Sequence, residues 1–342
     1  MAKDLTKGNP ASVLFRFALP VIGGNLFQLF YTLADSVIVG RMLGAQALAA
    51  VGSTSIIIYL VLCFIQGITG GFGICLGQRF GARDEAAMRR SVMISWLLSA
   101  FFTVLLTAVC CALAHPILRW MQTPDDIYQD AYAYMWVILA GTGATVFYNA
   151  ISNMLRALGD SRTPLIFLVV SSLGNIALDI LFIGPMGMGA AGAAWATVLS
   201  QLIAAILSAA VGVKNYAVLR PSRLARKDVL PEAAAHLRLG FPMGFQMSVM
   251  CIGQLAMQAA VNALGAAAIA GYTAATKVDQ FSVLINNALG IAIANYVAQN
   301  YGAGEYGRIR RGVVASLIQV ESANAAMMAL MLVCRNAVVS LF

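Results

Sequence analysis

The chain has 342 residues, of which 60% are apolar and only 11% are charged, and its mean hydropathy is +0.81. This composition excludes an ordinary soluble domain. The net charge of +8 would fit a nucleic-acid partner only if the basic residues were clustered on one surface. The sequence contains no nucleotide-binding, catalytic-triad or metal-binding motif, so we expect neither an enzyme nor a bound cofactor.

Uncharged stretches recur along the chain, and several reach the length of about 20 residues that is needed to cross a bilayer. Such spans must be helical, because lipid offers the backbone no hydrogen-bond partners. The sequence predicts an all-α polytopic membrane protein with nine transmembrane helices. They are placed at about 14–38, 48–75, 92–114, 130–154, 163–183, 188–212, 238–262, 272–297 and 313–334.

The segments that flank these spans differ in their basic residues from one side of the membrane to the other. Counted from the N-terminus, the odd-numbered segments hold 18 lysines and arginines and the even-numbered ones hold 3. This bias places the basic segments in the cytoplasm. We therefore expect a multi-pass protein of the plasma membrane with a cytoplasmic N-terminus, and no nucleic-acid partner.

A basic loop occurs twice, as "QRFGARDEAAMRRSV" at 78–92 and "QNYGAGEYGRIRRGV" at 299–313. The same offset relates "LGAQALAA" at 43–50 to "LGAAAIAG" at 264–271. One period contains six spans, so the two copies enter the membrane in the same orientation, which is typical of transporters with two lobes around a central cleft. We expect a first lobe over 1–213, a cytoplasmic linker over 214–237 and an incomplete second lobe over 238–342. A fragment of a twelve-span parent is favoured over a natural nine-span protein.

Five motifs then give the chain a family resemblance. They are "LGAQALAAVG", "GQRFGA", "RALGDSRTPL", "NIALDILFI" and "AQNYGAG", each at the corresponding place in the predicted topology. Together they resemble the multidrug and toxic compound extrusion (MATE) family over essentially the whole chain. The resemblance implies a secondary antiporter that expels organic cations and other small amphipathic molecules by alternating access. The coupling ion would be a proton or sodium, and no other cofactor is implied.

Ionisable residues inside the membrane mark candidate functional positions, because placing one at mid-bilayer costs about 2.5–3.5 kcal/mol on insertion scales. Asp35 and Asp179 lie at similar depth in the first and fifth spans. Gln28 and Tyr31 share a helix face with Asp35, and Asn175 precedes Asp179 by one turn. The resemblance implies coupling-ion roles for Gln28, Asp35, Asn175, Asp179 and Thr197, with Asn153 less securely aligned.

Two carboxylates in a cleft of low dielectric constant disfavour simultaneous ionisation, which suits a proton carrier. The same oxygens are a possible sodium site. We expect the coupling ion to compete there with a cationic substrate. The structural alternative is that each aspartate only caps or snorkels at the end of its span.

Three further residues are candidate gating elements. Lys277 would repel or gate cations in the cleft, although a snorkelling or Asp-paired lysine is an equal alternative. Pro20 and Pro242 occupy corresponding points of the two copies and would act as hinges or as static bends. The six cysteines and two histidines form no disulfide or metal pattern.

The expected partners are cationic or amphipathic small molecules and membrane lipids, and we expect a monomer. A lipid-linked oligosaccharide flippase is the principal alternative. It is disfavoured because the first-lobe spans carry acids without a mid-span lysine or arginine. An ion channel is a weaker alternative.

Overall fold

The computed structural model describes the backbone of residues 4–262 and 264–339. The side chains of 262, 266–270, 273–274, 277–278, 330 and 334–339 lie outside this description. The described ranges contain helices and no strand. The helices are α1 (Pro10–Leu43), α2 (Ala45–Gly81), α3 (Glu85–Trp120), α4 (Asp125–Ala140), α5 (Thr142–Ala157), α6 (Arg162–Ile183), α7 (Gly189–Asn215), α8 (Arg226–Asn262), α9 (Ala266–Gly302) and α10 (Tyr306–Val339).

The all-helical, membrane-spanning architecture predicted from the sequence is confirmed, but the count of nine spans is not. Within the described residues, seven helices are long and apolar enough to cross a bilayer, and α4 with α5 makes an eighth span. Helix α8 corresponds to the predicted seventh span but is not among them. Gln246, Gln254 and Gln258 dilute its apolar stretch, which explains why it is less hydrophobic than its neighbours.

The predicted fourth span is broken into α4 and α5, which meet at Gly141 with a bend of 42°. A Cβ atom on Gly141 would overlap the side chain of Val198 on α7, so only glycine allows this close approach. The Thr142 hydroxyl donates to the carbonyl of Leu139 at 2.6 Å. This bond provides a side-chain partner for one carbonyl at the break.

The internal repeat is present in the backbone as well as in the sequence. Gly44 has φ 88° and ψ −176°, and Gly265, which lies 221 residues later, has φ 90° and ψ 175°. This region of conformational space is essentially restricted to glycine. Arg83 and Gly304, which are separated by the same offset, both adopt a positive φ. The two copies therefore make their tight turns in the same way.

Helix α8 begins earlier than expected. Residues 226–237, which we expected in the linker, form its first turns and continue without interruption into the predicted seventh span. These turns pack against α2 and α3 of the first lobe through Val229, Ala233 and Leu237. The segment that joins the two copies is therefore partly a rigid helix.

Candidate functional site

A pair of aspartates lies between α1 and α6. Nearer the start of both helices, Gly23 and Gly24 of α1 face Leu165 and Leu168 of α6. Asp35 lies about three-quarters of the way along α1, and Asp179 lies near the end of α6. Asp179 is completely buried, and Asp35 is partly buried.

The carboxyl groups of Asp35 and Asp179 are close enough for their side chains to interact. Two ionised carboxylates only accept hydrogen bonds, so a direct bond requires a proton on one of them. The Oδ1 atom of each residue is buried and has no hydrogen-bond partner among the described residues. Buried acceptors of this kind are rare in folded proteins. The pair can therefore hold a proton, and its two unpartnered oxygens suit a small cation.

Asn175 orients Asp179 from one turn below it on α6. With its amide nitrogen turned toward the acid, Nδ2 donates to Asp179 Oδ2 at 3.0 Å and Oδ1 accepts from the Thr197 backbone N–H at 3.1 Å. The opposite orientation would place the amide oxygen against a carboxylate oxygen. We therefore assign the first orientation, which satisfies both amide groups.

Two tyrosines surround the acid pair. Tyr31 lies one turn before Asp35 on α1, and its hydroxyl lies near the Thr197 side chain on α7. Tyr134 on α4 lies near both aspartates and Tyr31. Sequence reasoning missed Tyr134 because it lies in the aromatic run "YAYMW", in which no spacing distinguishes one ring from the next. The site therefore uses residues of α1, α4, α6 and α7, all of them in the first copy of the repeat.

Other predicted residues lie elsewhere. Gln28 is exposed and lies about 10 Å from Asp35 along the α1 axis, at 1.5 Å per residue. Asn153 belongs to a separate polar cluster between α5 and α2. Its Nδ2 donates to Thr69 Oγ1 at 3.2 Å and its Oδ1 accepts from Arg156 at 3.4 Å.

Two of the three predicted gating residues are prolines that lie away from the acid pair. Pro20 and Pro242 lie inside α1 and α8, and both helices continue past them. The side chain of Lys277 lies outside the described residues.

The two copies of the repeated basic loop contact each other. A Cβ atom on Gly81 would overlap the carbonyl oxygen of Gln299, and a Cβ atom on Gly302 would overlap the carbonyl oxygen of Gln78. The two contacts are related by the 221-residue offset, so the loops meet across the axis of the repeat. Gln299 is fully buried there; its Oε1 accepts from the Leu5 N–H at 2.9 Å and its Nε2 donates to Ala157 O at 2.8 Å.

Small residues extend this closure into the membrane region. A Cβ atom on Gly67 of α2 would lie 2.6 Å from the Cα of Gly244 on α8, and a Cβ atom on Gly71 would overlap the Cα of Gly240. The corresponding crossing of α1 with α9 buries Ala18, Ala288 and Ala292. Close crossings at small residues are typical of helices packed in membranes. The side that carries the repeated loops is therefore tightly closed.

Comparisons with known proteins give the fold and the site a context. The MatE family model matches residues 20–181 and 242–342. The probable multidrug resistance protein YpnP of Bacillus subtilis (strain 168) is 34% identical over 308 residues, which are 90% of this chain and 69% of that protein. The probable multidrug resistance protein NorM of Thermotoga maritima is 29% identical over 318 residues, covering 89% of this chain and 67% of that one.

A solved structure is similar over nearly the whole chain. It is described as the outward-facing conformation of a multidrug resistance MATE family transporter of the MOP superfamily. The TM-score is 0.89 at 25% identity, and the match covers 99% of this chain and 75% of that chain. The present chain thus spans about two thirds to three quarters of the length of these relatives.

Proposed function

Because the chain belongs to the MatE family of multidrug and toxic compound extrusion transporters, we propose that it exports cationic or amphipathic small molecules in exchange for an inward-moving ion. The names of the two relatives support a role in multidrug resistance. No step of this exchange needs a covalent intermediate. The protein would be a multi-pass monomer of the plasma membrane with a cytoplasmic N-terminus.

This proposal rests on the Asp35–Asp179 pair. Its two buried, unpartnered oxygens provide a place where a proton or a sodium ion binds. An ion bound there lowers the negative charge of the first lobe, and a cationic substrate is then held less strongly. A ligand shifts a conformational equilibrium only through its different affinities for the two states. We propose that the coupling ion and the substrate favour different openings of the cleft.

The membrane potential can supply the direction. One elementary charge that moves inward gains about 2.3 kcal/mol per 100 mV. This energy contributes only when net charge moves inward, as when more than one ion enters for each exported monocation or when the exported molecule is neutral. In a one-for-one exchange of a proton or sodium ion for a monocation, the concentration gradient of the ion alone opposes the return of the substrate. Tyr31, Asn175 and Thr197 would hold the acid pair in place, and Tyr134 would line it.

The tight contact between the repeated loops supports an assignment of the conformational state of the transporter. The repeated loops at Gly81 and Gly302 belong to the basic side of the protein, which the charge bias places in the cytoplasm. We therefore assign the structure to a form that is closed toward the cytoplasm. In the opposite form, the lobes of residues 1–213 and 238–342 would separate at this surface, with Pro20 and Pro242 as bending points. Lys277 lies about 37 Å before Gly302 along α9 and would act at the other mouth of the cleft.

Ethidium transport in everted membrane vesicles tests the proposal, with a proton gradient and a sodium gradient imposed separately. We expect one of the gradients to drive transport, and we expect Asp35→Asn and Asp179→Asn each to reduce it at least about tenfold. Glu321→Gln in α10 is the matched control, since it removes a carboxylate from a membrane helix outside the first lobe. Retention of gradient-driven transport by both aspartate variants would refute the coupling role. Absence of any response to either gradient would favour a flippase.

A further inference from the structure

A buried cluster of charges lies away from the acid pair, where the first turns of α8 rest on the first lobe. Glu232 of α8 forms ion pairs with Arg79 at the end of α2 and with Arg90 near the start of α3, the latter with Nε 3.1 Å from Oε1. The side chains of Glu232 and Arg79 are only 11% and 18% exposed. Charges are buried to this extent only when they compensate one another.

A histidine extends the same contact by one helical turn. His236 is fully buried, and its Nδ1 lies 2.8 Å from the carbonyl oxygen of Glu232. A carbonyl only accepts, so Nδ1 carries a proton. Burial lowers the pKa of His236 to about 4, so Nε2 is unprotonated and accepts from the Ser91 hydroxyl at 2.7 Å. The histidine is therefore neutral, and the charges of the cluster are those of Glu232 and the two arginines.

Apolar packing supports the polar contacts. Val229, Ala233 and Leu237 recur every four residues and so share one face of α8. They pack on a first-lobe cluster that includes Phe72 and Ile94. Four residues after His236, α8 reaches Gly240, which is in tight contact with Gly71 of α2. The position of the first turns therefore determines how closely α8 approaches α2 at the closed side.

We propose that Glu232 is a positioning residue for the conformational cycle, and that its pairs with Arg79 and Arg90 hold α8 against α2 in the state closed toward the cytoplasm. This role rests on the proposed alternating access. Without the carboxylate, two arginines remain close together, and at least one of them is largely buried without a counter-charge. Separation of α8 from α2 lets water reach these arginines. Loss of Glu232 therefore shifts the protein toward opening on this side.

A native cysteine can report the separation of α8 from α2. Cys75 of α2 is 5% exposed, and its Sγ lies 3.5 Å from the carbonyl oxygen of Ala235 on α8. The thiol is covered by the turn of α8 that Glu232 holds in place. A variant of the full chain that keeps only Cys75, with Ala at Cys63, Cys110, Cys111, Cys251 and Cys334, reports the opening as a rate of reaction with N-ethylmaleimide.

The experiment compares the labelling rates of this variant with and without Glu232→Gln. The rates are measured in inside-out vesicles without substrate or gradient, so that they do not depend on transport. We expect Glu232→Gln to raise the rate at Cys75 about tenfold. Glu85→Gln is the matched control, because it breaks the exposed Arg89–Glu85 pair on α3, in which the Glu85 side chain is 65% exposed. The control is expected to leave the rate unchanged.

A second reporter separates opening from a general loss of structure. Cys111 packs beside a different first-lobe cluster near the other end of α3. In a variant that keeps only Cys111, Glu232→Gln is expected to leave labelling unchanged. Arg90→Gln, which keeps the Arg79–Glu232 pair, is expected to raise labelling at Cys75 by a smaller factor. Equal rates at Cys75 with and without Glu232, or parallel increases at Cys75 and Cys111, would overturn the proposal.

Discussion

Replacing either glycine of the repeated loop by alanine is expected to weaken the closure of the cytoplasmic side. In Gly81→Ala, the new methyl group would overlap the carbonyl oxygen of Gln299 and would lie 2.7 Å from the carbonyl carbon. Both are backbone atoms, so a change of side-chain rotamer gives no relief. The loops must move apart by roughly 1.5 Å to reach ordinary van der Waals separation.

The magnitude follows from this overlap. Adding a methyl group to a well-packed site costs about 1–3 kcal/mol. If the whole penalty applies to the closed form, the equilibrium between closed and open forms shifts by about 5–150-fold. Gly302→Ala is expected to have a similar effect, because its methyl group would overlap Gln78 in the corresponding contact. Gly307→Ala is the matched control, since no atom lies within 4 Å of its Cβ position.

The separation of the loops is measured by double electron–electron resonance between spin labels at positions 85 and 305. Glu85 and Glu305 are exposed on the two loops, so labels there would not enter the contact. We expect the population with longer distances to increase in Gly81→Ala and Gly302→Ala and to remain unchanged in Gly307→Ala. Identical distance distributions in all three variants would refute the assignment of this contact as the closure.

Three further outcomes follow from the site and the turns. Asn175→Ala removes the donor to Asp179 Oδ2 and should reduce gradient-driven ethidium transport. Asn175→Gln should not restore transport, since the longer side chain cannot bridge Asp179 and Thr197. Full activity of the alanine variant would exclude this role. Gly44→Ala should lower the free energy of unfolding by about 1–3 kcal/mol, because Gly44 has a φ of 88°. The loss would be measured as a lower midpoint of thermal unfolding in detergent. Gly52→Ala, in a helix with open space around it, should not destabilise the protein. Gly141→Ala should impair packing of α4 and α5 on α7 and lower the yield of folded protein; a normal unfolding midpoint would contradict the close approach to Val198.

The sequence predicted the repeat and the acid pair for physical reasons that are local. Charged residues inside long apolar helices are visible directly, and the turn at Gly44 and Gly265 needs glycine in both copies. The helical period places Tyr31 and Asp35 on one face and Asn175 and Asp179 on another. Depth in the membrane then follows from counting residues along each span, which is why two distant aspartates were expected at similar height.

Features that depend on packing between helices were not predicted. Gly141 at the break in the fourth span packs against Val198 of α7, a contact between residues that are distant in sequence. The first turns of α8 were assigned to a linker because their charges resemble those of a solvated loop. In the structure, Glu232 is compensated by two arginines from other helices. The sequence alone contains no signal that would pair them.

The most direct test of the account is to measure ethidium binding to the purified chain as pH and sodium concentration are varied. If the acid pair exchanges an ion for the substrate, binding should either release about one proton or weaken as sodium is added. Asp35→Asn and Asp179→Asn should abolish this dependence. Ethidium binding that responds to neither proton nor sodium, and that is unaltered in both variants, would contradict the account.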